Sequence, residues 1–254
     1  MSIFFLSTKL PYDNFTNDEI AGIFTPAHFT YLAILALALA LSLFLSRKMS
    51  KKTEKWLRLA IAITVTVLEI IKIALRIYKE MGLETWIPLY FCSLFIFASW
   101  VSLIPYDPLA RCGKSYMATG GIVAAICFCM YPNTSLVSFP AWHPASIHSF
   151  LYHFLMLYSG IVLLWRGGYK PRSSDGIFYF LFVCLVSVPS LILNSTLGTN
   201  CMFLRHPGGI PIIQDIADFS PILYTILALI SQGILLFYLI LGIYTLIRKI
   251  KAKN

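Results

Sequence analysis

The chain has 254 residues, of which 58% are hydrophobic and only 12% are charged, and its mean hydropathy is +0.77. A soluble domain of this length cannot bury so much apolar surface, so the composition excludes an ordinary soluble globular protein. The net charge is +9. Because the basic residues flank apolar segments at the depth of a membrane interface, the sequence indicates no nucleic-acid partner.

Seven long apolar segments follow one another along the chain. Most exceed the ~18 apolar residues that indicate a bilayer-crossing helix, which needs about 20 residues. The predicted spans are residues 26–46, 58–78, 86–104, 115–131, 145–165, 176–196 and 220–247. The sequence therefore predicts an all-α polytopic membrane protein with seven transmembrane helices. Since the spans use most of the residues, we expect one domain over residues 1–254.

The connections between the spans differ in charge, and this difference predicts the topology. The connections after spans 1, 3 and 5 and the C-terminal tail are rich in Lys and Arg. The opposite side has few basic residues, namely Lys9, Lys79 and Arg205, and most of the acidic ones. Because basic loops stay in the cytoplasm, we expect the N-terminus outside and the C-terminus inside. The expected location is the cell membrane, of the bacterial inner or plasma type.

Most residues able to do chemistry lie at the predicted outer ends of the spans. Cys92 would lie ~9 Å below the outer end of span 3, and His148 and His153 ~5 and ~13 Å inside span 5. His28 opens span 1, and Asn200 and Arg205 lie in the 197–219 loop. We expect this apolar, Gly- and Pro-rich loop to fold back against the membrane face or to plug the outer mouth.

A cysteine near a histidine indicates nucleophilic chemistry, because an imidazole can take the thiol proton. Cys92 with His153 is the first candidate pair and Cys92 with His148 the second. The two histidines point ~140° apart on a helix, so we expect one of them to face the site. The alternative is structural: Cys92 as a small packing residue and the histidines as interhelical hydrogen-bond donors.

Span 2 carries three charged residues within the predicted membrane region: Glu69, Lys72 and Arg76. Glu69 and Lys72 are three residues apart and can pair on one helix face. Lys72 and Arg76 are four apart, which predicts a phosphate or carboxylate site near the outer leaflet. Arg76 could instead extend to the headgroups, and Glu69 with Lys72 could form a proton or ion relay in a transporter.

Two other classes of membrane protein compete with an enzyme. A transporter is motivated by the three charges of span 2, although the sequence has no inverted repeat or paired broken helices. A receptor-like or accessory membrane protein is the third class. The six cysteines form no C-x-x-C pattern, so we expect no metal site and no cofactor.

Four short segments resemble the YwaF/TMEM164-type family of seven-span membrane proteins. They are Phe-Thr-Pro-Ala-His at 24–28, Ile-Pro-Leu-Tyr-Phe-Cys-Ser-Leu at 87–94, His-Ser-Phe-Leu-Tyr-His at 148–153, and Gly-Thr-Asn-Cys-Met-Phe-Leu at 198–204. The order of the motifs along the chain is also similar. Two positions depart from the family: it often has His at the position of Tyr90 and Tyr at that of Cys201.

The resemblance implies an activity and roles for residues. Eukaryotic relatives are phospholipid acyltransferases in which a Cys and a His are implicated, so Cys92 would be the nucleophile and His153 the base. An acyl chain would pass from a membrane phospholipid through a Cys92 thioester to a lysolipid or another lipid acceptor. The departure at Tyr90 leaves open a catalytically silent relative. The candidate substrate-binding residues are Lys72, Arg76, Tyr90, Asn200, Arg205 and His28.

Overall fold

A computed structural model describes residues 15–16, 18–81, 87–207 and 211–253. Lys9 and residue 86, the expected start of span 3, lie outside these ranges. All regular elements within them are helical. The α-helices are α1 (Pro26–Ser46), α2 (Lys51–Tyr78), α3 (Leu94–Val101), α4 (Asp107–Ala118), α5 (Gly120–Met130), α6 (Pro144–Trp165), α7 (Asp175–Thr196), α8 (Pro211–Phe219), α9 (Pro221–Ile230) and α10 (Leu236–Lys253). A short 3-10 turn, Cys201–Phe203, follows α7, and a π-helical stretch, Ser231–Leu235, joins α9 to α10.

Five helical stretches of the described chain are long and apolar enough to cross a membrane. They are Pro26–Ser46, Asp107–Met130, Pro144–Trp165, Asp175–Thr196 and Pro221–Lys253. Their bounds agree closely with predicted spans 1, 5 and 6, because a proline or an acidic residue opens each of those helices. The chain thus has several membrane-type helices.

Predicted spans 2 and 3 are not among these five membrane-type stretches. Residues 58–78 belong to the 28-residue α2, whose charged residues lower its mean hydropathy. Of the described residues 87–104 in predicted span 3, eight form a regular α-helix, α3. Residues 87–93 before α3 are bends, turns and irregular chain, and the carbonyls of Leu89 and Phe91 accept hydrogen bonds from residues far along the chain.

The helix of predicted span 4 begins earlier than expected. Residues 111–114 were predicted as a basic connection, but α4 already starts at Asp107, with Pro108 in its first turn. Gly113 in α4 lies against the backbone of α3, so closely that a Cβ atom there would be 2.7 Å from the Ser102 nitrogen. A break at Thr119, whose φ is −131° and ψ −87°, separates α4 from α5.

The centre of the molecule is formed by α4, α6 and α7, and α1 and the last helix lie at its periphery. Tyr116 and Met117 of α4, Met156 and Leu163 of α6, and Tyr179 of α7 have almost no exposed surface. By contrast, only 11% of the apolar window of α1 is buried. The buried centre supports one end of α3, where Cys92 lies.

Candidate functional site

Cys92 lies in the turn formed by residues 91–93, directly before α3. Its side chain is half-buried. In a membrane protein, non-helical backbone at membrane depth is tolerated where the surrounding protein satisfies its polar groups. The turn meets this condition through hydrogen bonds from elements distant in sequence.

Two buried tyrosines hold the turn. The Tyr116 hydroxyl on α4 donates to the Phe91 carbonyl, and the Tyr152 hydroxyl on α6 donates to the Cys92 carbonyl at 3.1 Å. The rings of Phe91 and Tyr116 also pack edge to face, 5.4 Å apart. The backbone that carries the thiol is thereby fixed to two central helices.

The segment after α7 forms a third support. The Met202 N–H donates to the Leu89 carbonyl at 3.0 Å. Met202 and Phe203 have φ angles of 56° and 54°, a left-handed conformation that costs about 1–3 kcal/mol for residues other than glycine. Gln232, in the π-helical stretch, donates to the Met202 carbonyl at 3.0 Å. The last transmembrane-type helix therefore helps to hold this strained turn against the Cys92 segment.

Polar residues of the same segment bond mainly to one another. The Asn194 side chain accepts from the Cys201 N–H at 2.7 Å and donates to the Cys201 carbonyl at 3.0 Å. Asn200 accepts from the Arg205 N–H at 2.9 Å, and the Arg205 guanidinium donates to the Gly198 carbonyl. Asn200 and Arg205, predicted to bind substrate, thus shape residues 198–205 of the loop.

A largely buried ion pair on α2 is near enough to Cys92 to interact with it electrostatically. Lys72 Nζ is 2.5 Å from Glu69 Oε1, as their spacing on α2 predicts, and both side chains are largely buried. The pair acts electrostatically on Cys92, and Arg76, one turn further along α2, acts on Lys72 as a like charge. Pairing makes buried charges tolerable in a low-dielectric region. The Glu69–Lys72 pair and the Cys92 thiol therefore lie within electrostatic range of each other.

The two histidines of α6 each donate one hydrogen bond to a backbone carbonyl. His148 Nε2 donates to the Leu68 carbonyl at 3.0 Å, and His153 Nδ1 donates to the Ser149 carbonyl at 2.7 Å. A neutral imidazole that donates from one nitrogen carries a lone pair on the other. Each histidine therefore has a nitrogen that can accept a proton. Within the described ranges no hydrogen bond joins Cys92 Sγ to either ring, so the sulfur–imidazole pair stays a prediction.

The histidines face different neighbours, as their spacing predicts. His148 lies against α2 and 6.4 Å from the Tyr152 ring, centroid to centroid. The His153 ring stacks on Phe128 of α5 at 3.7 Å. His148 therefore lies on the side of the Glu69–Lys72 pair, and His153 on the side of α5.

Two other predicted site residues lie apart from the ion pair. His28 is fully buried; its Nδ1 accepts from the Phe24 N–H at 3.1 Å, and its Nε2 donates to the Cys129 carbonyl at 2.8 Å. It joins the start of α1 to the end of α5. The Tyr90 ring lies 5.9 Å from that of Phe203, between the Cys92 segment and the strained turn. In the part of the chain that the structure describes, no three His, Cys, Asp or Glu residues are grouped to hold a metal ion.

The opposite, basic end contains a buried carboxylate that sequence reasoning missed. Asp175, 1% exposed, accepts a bidentate pair from Arg111 and further hydrogen bonds at 2.9 Å from the Tyr169 hydroxyl and the Arg172 N–H. Burial, followed by the Asp175 charge, raises the pKa of Tyr169, so its hydroxyl stays a donor. The sequence signal that could have indicated this cluster is Asp175 itself, an acidic residue that lies between a basic loop and the next span. The cluster ties α4 to α7.

Comparison with known proteins places this architecture in a family. A model of the TMEM164 family matches residues 23–243. This range includes the Cys92 turn, the Glu69–Lys72 pair and both histidines of α6. No curated protein and no solved structure matches the chain. Because the match extends over most of the sequence, the chain belongs to the TMEM164 family, as a multi-pass membrane protein.

Proposed function

We propose that the protein is a membrane-embedded lipid acyltransferase in which Cys92 carries the acyl group as a thioester. The position of Cys92 carries this proposal: a half-buried thiol on a turn held by Tyr116, Tyr152 and Met202, within electrostatic range of Lys72. A thiol fixed in this way can approach an ester without reorganisation of its backbone.

The chemistry proceeds in two halves. A histidine takes the Cys92 thiol proton, and the thiolate attacks the ester carbonyl of a phospholipid. The ester C–O bond breaks, and the lysophospholipid leaves with the proton from the histidine. In the second half an acceptor hydroxyl gives its proton to the histidine and attacks the thioester. The C–S bond breaks, and the Cys92 thiolate takes the proton back from the histidine. Lys72 and Arg76 are suited to a lipid phosphate, and Lys72 also to the oxyanion.

Either histidine can supply the base. His153, indicated by the resemblance, has its lone pair on Nε2, because Nδ1 donates to Ser149. His148 has its lone pair on Nδ1 and lies within electrostatic range of Glu69 and Lys72. We propose His153 as the base and His148 as the alternative. Replacing each by Ala separately distinguishes the two roles.

We further propose seven spans with the N-terminus outside, in the cell membrane. The 28-residue α2 is long enough to cross a bilayer, and two of its intramembrane charges, Glu69 and Lys72, form an ion pair. Residues 87–104, with α3 at their centre, would form the other additional crossing. Their non-helical part is supported by hydrogen bonds from the protein interior. In this topology Cys92 is near the outer leaflet and the basic end is cytoplasmic.

The test is transfer of a labelled acyl chain from phospholipid to lysophospholipid by the purified protein in liposomes. Cys92→Ala should abolish transfer, and replacing the base should reduce it about 10²–10⁴-fold. Cys184→Ala is the matched control, since Cys184 is also half-buried but lies on α7. Transfer that survives Cys92→Ala would refute the proposal.

A transporter is the second candidate, because proton and ion relays within membranes use buried charged residues such as Glu69 and Lys72. Glu69→Gln should then abolish proton- or ion-coupled uptake into proteoliposomes. In the acyltransferase, by contrast, no uptake is expected from either the unmodified protein or this variant.

A further inference from the structure

At the basic end of the molecule, α1 and α2 enclose a groove. The two helices are joined by the short connection 47–50, yet each contacts α6 more than it contacts the other. Between them lies a groove of about 510 Å³, open to the surroundings. Its lining comes from the end of α1, the connection, the first turns of α2 and Tyr158 of α6.

The walls of the groove are mostly apolar. Thr53, Trp56, Leu57 and Ala60 line it, and their spacing places them on one face of α2. Leu45 contributes from α1, and the exposed fractions of Leu45 and Trp56 are 70% and 61%. In a membrane protein such exposed apolar walls contact acyl chains, and a tryptophan near a helix end marks the interface.

The polar groups at the floor of the groove already have hydrogen-bond partners within the protein. Ser46 Oγ and the Tyr158 hydroxyl are 2.5 Å apart, and Ser46 Oγ also donates to the Ser42 carbonyl at 2.6 Å. The Tyr158 hydroxyl is therefore the donor in the first bond. Because these polar groups bond to one another, the floor can lie against a hydrocarbon chain.

The mouth of the groove is positively charged. Lys48 lines it, and Lys52 follows in the first turn of α2, at the edge of the face that lines the groove. Neither lysine forms an ion pair within the described ranges. Glu54, the sole acid between residues 47 and 68, is buried and bonded to Arg58 at 2.8 Å, on another face of α2. No carboxylate of this segment therefore neutralises the charge at the mouth.

We propose that this groove is a binding site for an anionic glycerophospholipid. One acyl chain lies against Trp56 and Leu57, and the phosphate of the headgroup is held by Lys48 and Lys52. Lysines near a membrane surface attract anionic lipids, each strengthening binding about fivefold. The site is at the opposite end from Cys92 and does not depend on the proposed acyl transfer.

Brominated lipids test the site, because bromine quenches the fluorescence of a tryptophan that it contacts. The full-length protein is reconstituted in phosphatidylcholine nanodiscs that contain increasing fractions of brominated phosphatidylglycerol or brominated phosphatidylcholine. The difference between the unmodified protein and Trp56→Phe isolates the Trp56 signal. Half-maximal quenching of Trp56 should need at least about fivefold less brominated phosphatidylglycerol than brominated phosphatidylcholine.

Variants separate a specific site from general attraction. Lys48→Gln with Lys52→Gln should abolish the preference for phosphatidylglycerol, whereas Lys251→Gln with Lys253→Gln in the tail should retain it. Unfolding midpoints check that both double variants are folded. Equal quenching by the two lipids, or a preference that survives Lys48→Gln with Lys52→Gln, would overturn the proposal. Absence of quenching by either lipid would also overturn it, because protein, such as a second copy of the chain, would then cover the groove.

Discussion

The Tyr116→Phe substitution probes the support of the Cys92 turn. It removes one hydroxyl and retains the ring that packs on Phe91. The described residues provide no hydrogen bond to the Phe91 carbonyl other than that of Tyr116. An unsatisfied buried carbonyl costs about 1–3 kcal/mol, so we expect the free energy of unfolding to fall by that amount.

Tyr152→Phe is the matched control, because the neighbouring carbonyl keeps a partner. The Cys92 carbonyl accepts from Tyr152 and also from the Phe95 N–H at 3.0 Å. Loss of one of two hydrogen bonds costs about 0.5–1.5 kcal/mol. The structure therefore predicts that Tyr116→Phe is the more destabilising of two chemically identical changes.

Two assays on the detergent-solubilised protein measure the effect. Unfolding by a denaturing detergent gives the order of stability, and the rate of Cys92 alkylation by a maleimide reports on the turn. Alkylation should be faster in Tyr116→Phe than in the unmodified protein, because the turn has lost a support. If Tyr152→Phe is as destabilising as Tyr116→Phe, or alkylation does not change, the proposed support of the turn is incorrect.

Two further predictions concern the central helices, and unfolding midpoints measure both. Asp175→Asn should lower stability by about 3–5 kcal/mol, because it leaves a largely buried guanidinium without its counter-charge. The exposed Asp218→Asn should change it by less than about 0.5 kcal/mol, and equal effects would mean that the buried cluster contributes nothing. Gly113→Ala should destabilise by about 1–3 kcal/mol, since its Cβ would lie 2.7 Å from Ser102 N. Gly242→Ala, with nothing within 4 Å, should stabilise by about 0.5–1 kcal/mol; a neutral Gly113→Ala would contradict the α3–α4 packing.

Long apolar helices were predictable because their signals are local. Span 1 was predicted at residues 26–46 and is found at Pro26–Ser46, and spans 5 and 6 differ by one residue at their starts. Hydrophobic length and a proline or an acidic residue in the first turn suffice for this.

The segment before α3 could not be predicted as non-helical. Its apolar composition is that of a span, but some of its carbonyls bond to residues far along the chain. The Phe91 and Cys92 carbonyls bond to Tyr116 and Tyr152, which are 25 and 60 residues away. Such pairings depend on tertiary packing, which hydropathy does not contain.

The candidate site shows the same division between local and distant contacts. The Glu69–Lys72 pair and the divergence of His148 and His153 follow from positions on one helix. The Arg111–Asp175 pair, 64 residues apart, could not be predicted from the sequence, because Arg111 and Asp175 lie in two different connections between predicted spans.

Intact-protein mass spectrometry tests most directly whether Cys92 carries an acyl group. The purified protein is incubated with phospholipids that carry isotope-labelled acyl chains and is then treated with hydroxylamine. We expect an adduct of one acyl chain that hydroxylamine removes, that is absent in Cys92→Ala and that is retained in Cys184→Ala. An adduct that persists in Cys92→Ala, or none with any class of phospholipid, would contradict the account.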